Sequence, residues 1–184
     1  MSLLRRGLLR QGLGLAAGAA MVGLSPPALA LANTPVRRLA FSNIHTGEKL
    51  DLAYWENGAY SPQALAAINH VLRDYRTGDE HLIEPALLDL LTALSLRLEA
   101  RPRFDVISGY RSPRTNAMLR ARSHQVNPNS LHMQGQAIDI RMAGVETSHM
   151  RDAAQSLAIG GVGYYPVSNF VHVDIGPEEW WSGT

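Results

Sequence analysis

Cysteine is absent from this 184-residue chain, and its absence removes disulfides, a thiolate nucleophile, a cysteine-based zinc finger and any thiolate-bound cluster. A metal site must therefore be built from histidine and carboxylate. Basic runs are missing beyond the N-terminus and the formal charge is only +1, so the chain lacks the electrostatic footprint with which proteins hold nucleic acid. Charged residues are scarce at 18% and hydrophobic ones make up 46%, a composition that excludes disorder and suffices for one compact core. Gly12 to Leu24 is a mildly apolar stretch, short of the ~18 to 20 strongly apolar residues that a membrane-spanning helix needs.

What stands at the N-terminus reads as an export signal. Arg5, Arg6 and Arg10 make a positive region, Gly12 to Leu24 follows as the apolar part, and Ala28-Leu29-Ala30 offers small residues to a signal peptidase. The paired arginines of Leu4-Arg5-Arg6-Gly7-Leu8-Leu9-Arg10 look like a twin-arginine signal, which makes that export machinery an expected partner. Cleavage after Ala30 would take the chain from 17 basic and 16 acidic residues to 14 and 16, with no stable membrane span left. Residues 31–36 then form a short tether, and residues 37–184 one domain.

The remaining pattern predicts helices packed on a small, mostly antiparallel sheet, an α+β fold. Residues 38–44 and 49–55 flank His45-Thr-Gly-Glu48 as a hairpin. Ser61-Pro62 caps a helix that runs toward Thr77-Gly78, and leucines between Pro85 and Glu99 make a broad apolar helical face. Phe104 to Ser108 reads as a buried strand feeding the turn Gly109-Tyr110-Arg111-Ser112-Pro113, with a helix from Pro113 to Arg122. After a polar stretch over 123–135, the expected elements are a strand at 136–141, a helix at 147–158 and strands at 160–166 and 170–174.

Chemistry concentrates in Ser130-Leu-His132-Met-Gln-Gly135-Gln-Ala-Ile-Asp139 and in Phe170-Val-His172-Val-Asp174. Hydrolytic zinc sites commonly use three His or carboxylate ligands and leave a fourth position to water, and His132, Asp139 and His172 supply such a set without thiols. Seven extended residues span about 23 Å, so the chain must fold back between His132 and Asp139, and Gly135 is the residue able to make that turn.

The pattern Ser-x-His-x-x-Gly-x-Ala-x-Asp, preceded by Ser108-Gly-Tyr-Arg111-Ser and followed by a strand histidine, resembles the hedgehog/D-Ala-D-Ala peptidase superfamily of zinc metallopeptidases. Within it, the paired arginines, Asn43-Ile-His-Thr-Gly47, Gly161-Val-Gly-Tyr-Tyr-Pro166 and Phe-Val-His-Val-Asp174 look like its murein endopeptidase branch. The resemblance implies one Zn2+ ion on His132, Asp139 and His172, and Arg111 as a substrate-side cation with a catalytic part. It also implies peptidoglycan stem peptides as substrate, 3-3 meso-diaminopimelate cross-links as the bond cut, and a periplasmic location. D,D- or L,D-carboxypeptidase trimming and a non-catalytic, zinc-stabilised wall-binding module are the alternatives.

The general base is where the chain departs from that pattern. Relatives carry a histidine two residues before the last ligand or an acid three before it; Phe170 and Asn169 stand there instead. Asp174 shares a strand face with His172, and is read either as the base or as an acceptor that orients a ligand. Ser130 is read as a substrate-side residue, a loop cap or an orienter of His132. His124 and His149 are weaker candidates, and His45, His70 and His81 have no motif behind them. Tyr164, Tyr165, Trp180 and Trp181 are expected to pack rather than to line a groove.

Overall fold

Period-two burial along the strands decides which side of the sheet is covered. In the computed structural model, which describes residue 31 and residues 34–123 and 126–184, eight strands form one sheet. The expected export signal and His124 lie outside the described residues. The strands are β1 (Arg37–Asn43), β2 (Lys49–Glu56), β3 (Ala59–Tyr60), β4 (Arg103–Ser108), β5 (Ala137–Arg141), β6 (Val162–Tyr165), β7 (Phe170–Asp174) and β8 (Trp180–Ser182). Their order across the sheet is β3-β2-β1-β4-β5-β7-β6-β8, antiparallel except for β1 with β4 and β6 with β8.

One face carries Leu39, Phe41, Phe104, Val106, Ile138, Ile140, Val171 and Val173, all essentially inaccessible to water. Register aligns them into rows, with Phe41 beside Phe104, Val106 beside Ile140, and Ile138 beside Val173. Three helices cover that face: α1 (Pro62–Val71) on β2, α2 (Pro85–Arg97) on β1, and α4 (Thr147–Leu157) on β6 and β7. Leu87, Leu88, Leu91 and Leu94 of α2 are fully buried, so this helix is the centre of the core. Helix α3 (Pro113–Arg120), capped by the Ser112 hydroxyl, stands instead at the margin of the opposite face. The alternate residues Arg103, Asp105, Asp139, Phe170, His172 and Asp174 belong to that uncovered face.

The α+β class is as expected, with two differences of detail. Helix α1 stops at Val71 instead of running to Thr77-Gly78, because the Leu72 carbonyl accepts the Tyr110 amide and the Asp74 carboxylate accepts the amide and hydroxyl of Ser112. These tertiary bonds draw residues 72–79 out of the helix toward the 109–112 turn. The sheet is also wider than expected, since the two-residue β3 and the three-residue β8 carry too little pattern to be read alone. At the N-terminal end of the domain Leu31 packs against the core, and its carbonyl accepts a hydrogen bond from Arg37 at 3.2 Å.

The polar stretch before β5 contains a 3-10 helix, Leu131–Gln134, which ends at Gly135 in the left-handed region with φ 67°. The Gly135 carbonyl accepts the Glu84 amide, and a Cβ on Gly135 would run into the Leu82 carbonyl. Conformation and space thus both require glycine where the chain turns from the 3-10 helix into β5. Gly135→Ala is expected to cost at least about 2 kcal/mol of stability, combining left-handed strain with backbone overlap. Urea unfolding checks this, and an unchanged midpoint would show that the turn relaxes without cost.

Candidate metal centre

Strands β5 and β7 are adjacent and antiparallel, and their register sets Asp139 directly opposite His172. Both side chains project from the uncovered face, while Ile138, Ile140, Val171 and Val173 anchor the same strands in the core. His132 arrives from the 3-10 helix, brought back over β5 by Gly135. Its position is fixed by the 109–112 turn: its ring Nδ1 is 2.8 Å from the Gly109 carbonyl, and its own carbonyl accepts the Arg111 amide at 3.1 Å. Gly109 is itself pressed on Leu72, where any Cβ would collide with the Leu72 carbonyl.

The donor atoms His132 Nε2, Asp139 Oδ1 and His172 Nδ1 form a triangle with edges of 2.9, 3.2 and 3.3 Å. Ligands about 2.0 to 2.2 Å from a tetrahedral zinc ion are roughly 3.3 to 3.6 Å apart, so the donor set fits such an ion after a small expansion. Tautomers support the fit. A carbonyl only accepts, so the Gly109 contact places the His132 hydrogen on Nδ1 and leaves the Nε2 lone pair facing the triangle. Asp174 Oδ2, 3.0 Å from His172 Nε2, does the same for the second ring and leaves Nδ1 for the triangle.

Burial and charge act in opposite directions on these groups. Burial holds the His132 pKa below its ordinary value. Burial also works against a charged His172, but hydrogen bonds to Asp139 and Asp174 outweigh it and push its pKa up to about 9. Burial would raise the Asp139 pKa, but the two histidines hold it far below the usual carboxylate range. Asp174 is lowered as well, because its hydrogen bonds with His172 and the Gly161 and Gly176 amides outweigh its burial. Without an ion, the cluster therefore carries a proton on His172 where a metal would sit.

A cleft of about 770 Å³ opens above the triangle. Arg111 and Ser130 line it, as do Leu119, Asn127 and Asn129 from α3 and the loop after it. Arg111 Nη2 donates to Asp139 Oδ2 at 3.3 Å and to the Ser108 hydroxyl at 3.4 Å, while its buried Nε has no partner among the described residues. The Ser130 hydroxyl does not cap the 3-10 helix that follows it. Tyr165 and Trp181 also line the cleft, contrary to the packing expected of them; Tyr164 does pack, beneath the Arg151 guanidinium, and Trp180 is largely exposed. Glu179, which no motif singled out, stands at the rim.

The other described histidines are elsewhere. His149 is exposed on α4, His45 stacks on Tyr75, His70 pairs with Glu48 and Glu80, and His81 stacks on Tyr110. None of these four lines the cleft. Among the described residues, His132, Asp139 and His172 form the one group of three or more His and acidic side chains close enough to share an ion.

Two histidines and a carboxylate, converging at the floor of an open cleft, could hold one metal ion in the three-ligand arrangement that hydrolases use. The family model described as peptidoglycan L,D-endopeptidase MepK, of the M15 peptidases, matches residues 31–181, and the chain belongs to that family. It is 46% identical over 178 residues to the peptidoglycan L,D-endopeptidase MepK of Escherichia coli (strain K12), covering 96% of each chain, and equally similar to that of Shigella flexneri. A probable peptidoglycan L,D-endopeptidase MepK of Haemophilus influenzae is 44% identical over 157 residues, 84% of each chain.

Because the His172 pKa is raised in the ion-free fold, its stabilising contribution is complete below the ordinary histidine value and is lost as pH rises through about 9. A divalent cation must displace that proton, so its apparent affinity is expected to rise about tenfold per pH unit from roughly pH 6.5 to 9 and then level off. Zinc titration against a competing chelator measures this. A flat affinity over that interval would exclude a proton held in the triangle.

Proposed function

We propose that the protein is a zinc-dependent murein endopeptidase that hydrolyses peptide cross-links of peptidoglycan, with 3-3 meso-diaminopimelate links as its substrate. The observation that carries this reading is the convergence of three lone-pair donors, His132 Nε2, Asp139 Oδ1 and His172 Nδ1, under a cleft in a chain of this family. One Zn2+ ion on these residues would supply Lewis-acid polarisation of the amide and a water acidic enough to attack it near neutral pH.

The chain's own residues perform the remaining work. The cleft has room for a stem peptide between the α3 side and the β6–β8 side. Arg111 is anchored by Nη2 and lines the cleft, where its guanidinium is placed to meet a substrate carboxylate, which a cross-link between two diaminopimelate residues presents beside the scissile amide. Ser130 lies beside His132 at the same wall and offers its hydroxyl to the peptide backbone.

Asp174 is assigned to holding His172, in preference to the role of base. Both of its oxygens are engaged, Oδ1 by two backbone amides and Oδ2 by the imidazole, which leaves it poorly placed to take a further proton. Peptidoglycan lies outside the cytoplasmic membrane, so this function requires export, and the twin-arginine signal read in residues 1–30 provides the route to a periplasmic location. No helix among the described residues is long and apolar enough to cross a membrane.

Zinc-loaded protein incubated with purified murein is expected to convert 3-3 cross-linked muropeptides to monomers, resolved by chromatography. An unchanged profile would refute peptidase action, and loss of only a terminal D-alanine would make the protein a carboxypeptidase. His132→Ala is expected to abolish the conversion. Asp174→Asn is expected to weaken zinc binding about 10- to 100-fold; zinc affinity unchanged with turnover lost would return Asp174 to the role of base.

A further inference from the structure

Two aromatic residues meet on the side of the centre opposite Arg111. Strand β8 pairs in parallel with β6 and sets Trp181 beside Gly163, the residue opposite His172 on β7. A Cβ on Gly163 would lie 2.6 Å from the indole, so only glycine there lets Trp181 lie across β6 with its ring centroid 5.1 Å from that of His172. Tyr165, paired with Phe170 and stacked on its ring at 4.4 Å, occupies the same face two residues further along β6. Gly183 serves the Tyr165 ring as Gly163 serves the indole, because a Cβ at Gly183 would collide with it.

The hydrogen bond between the two side chains fixes where the phenolic hydrogen points. Trp181 Nε1 is a donor only, so at 3.0 Å it occupies a lone pair of the Tyr165 oxygen and leaves the tyrosine's own hydrogen to be donated elsewhere. No acceptor among the described residues receives it. Tyr165 lines the cleft together with Asp139 and His172, and burial raises its pKa, so the hydroxyl keeps its proton through the neutral range. A protonated, oriented and unspent donor thus flanks the metal centre on the β6 side, while Arg111 flanks it on the β4 side.

We propose that Tyr165 is a catalytic residue that donates a hydrogen bond to the carbonyl oxygen of the scissile amide as that oxygen gains negative charge, and that Trp181 is a positioning residue that aims this hydroxyl. The assignment rests on the peptidase reading above. Arg111 then serves the substrate carboxylate and Tyr165 the developing oxyanion, one donor for each charge.

The test uses zinc-loaded protein and a purified 3-3 cross-linked muropeptide dimer. Tyr165→Phe keeps the ring stack and removes only the hydroxyl. It is expected to lower kcat about 10²- to 10³-fold, the usual effect of losing one oxyanion donor, with KM within about threefold and zinc content unchanged. Trp181→Phe is expected to lower kcat about tenfold alone and to add nothing in the Tyr165→Phe background, a non-additivity that a merely structural role would not produce. Tyr165→Phe turning over within about threefold of the parent overturns the proposal, as does loss of activity accompanied by loss of zinc or of the fold. Additive effects of the two substitutions remove Trp181 from its positioning role. A parent protein that releases no monomer refutes the peptidase reading itself and the proposal with it, which separates the two failures.

Discussion

The register between β5 and β7 is the constraint on which the centre depends. Side chains alternate along a strand, so the pairing that sets Asp139 against His172 also sets Ile138 and Ile140 against Val173 and Val171. A one-residue slip of either strand would drive a polar side chain of the triangle into the core and expose two core residues. The hydrophobic side of the sheet therefore enforces the geometry of its polar side. Register is held by buried apolar area, since the four aliphatic side chains are 0 to 1% exposed.

The third member of the triangle is governed differently. His132 lies on a one-turn 3-10 helix, and its orientation depends on hydrogen bonds to a turn some twenty residues earlier. That turn is braced in its own right, through the Leu72 carbonyl on the Tyr110 amide and the Asp74 carboxylate on Ser112. Loop segments that would be mobile alone are thus tied to each other and to the end of α1. The same bonds place Arg111 beside Asp139, so the two side chains share one support.

Much of this was legible in the sequence, and for identifiable reasons. Core strands and helices announced themselves by apolar periodicity, and Gly135 was expected at the fold-back because seven residues cannot otherwise close on one ion. Where the sequence misled, a distant partner was responsible. Nothing local to residues 72–78 shows that Leu72 and Asp74 are claimed by the 109–112 turn, so α1 reads too long. Nothing in the sequence shows that the amides of Gly161 and Gly176 engage the Asp174 carboxylate, so its two readings stay open there. Trp181 reads as packing because the glycine that receives it, Gly163, belongs to a strand whose neighbour is set only by the tertiary fold.

Strand β8 also divides the site into two parts of unequal standing. It lies at the edge of the sheet, paired with β6 alone, yet it carries one wall of the cleft. His132, Asp139 and His172 come from the 3-10 helix, β5 and β7, and none of them depends on β8 for its backbone pairing. A short edge strand opens at a lower free energy than the centre of a sheet, so the Trp181 wall can fray while the triangle stays assembled.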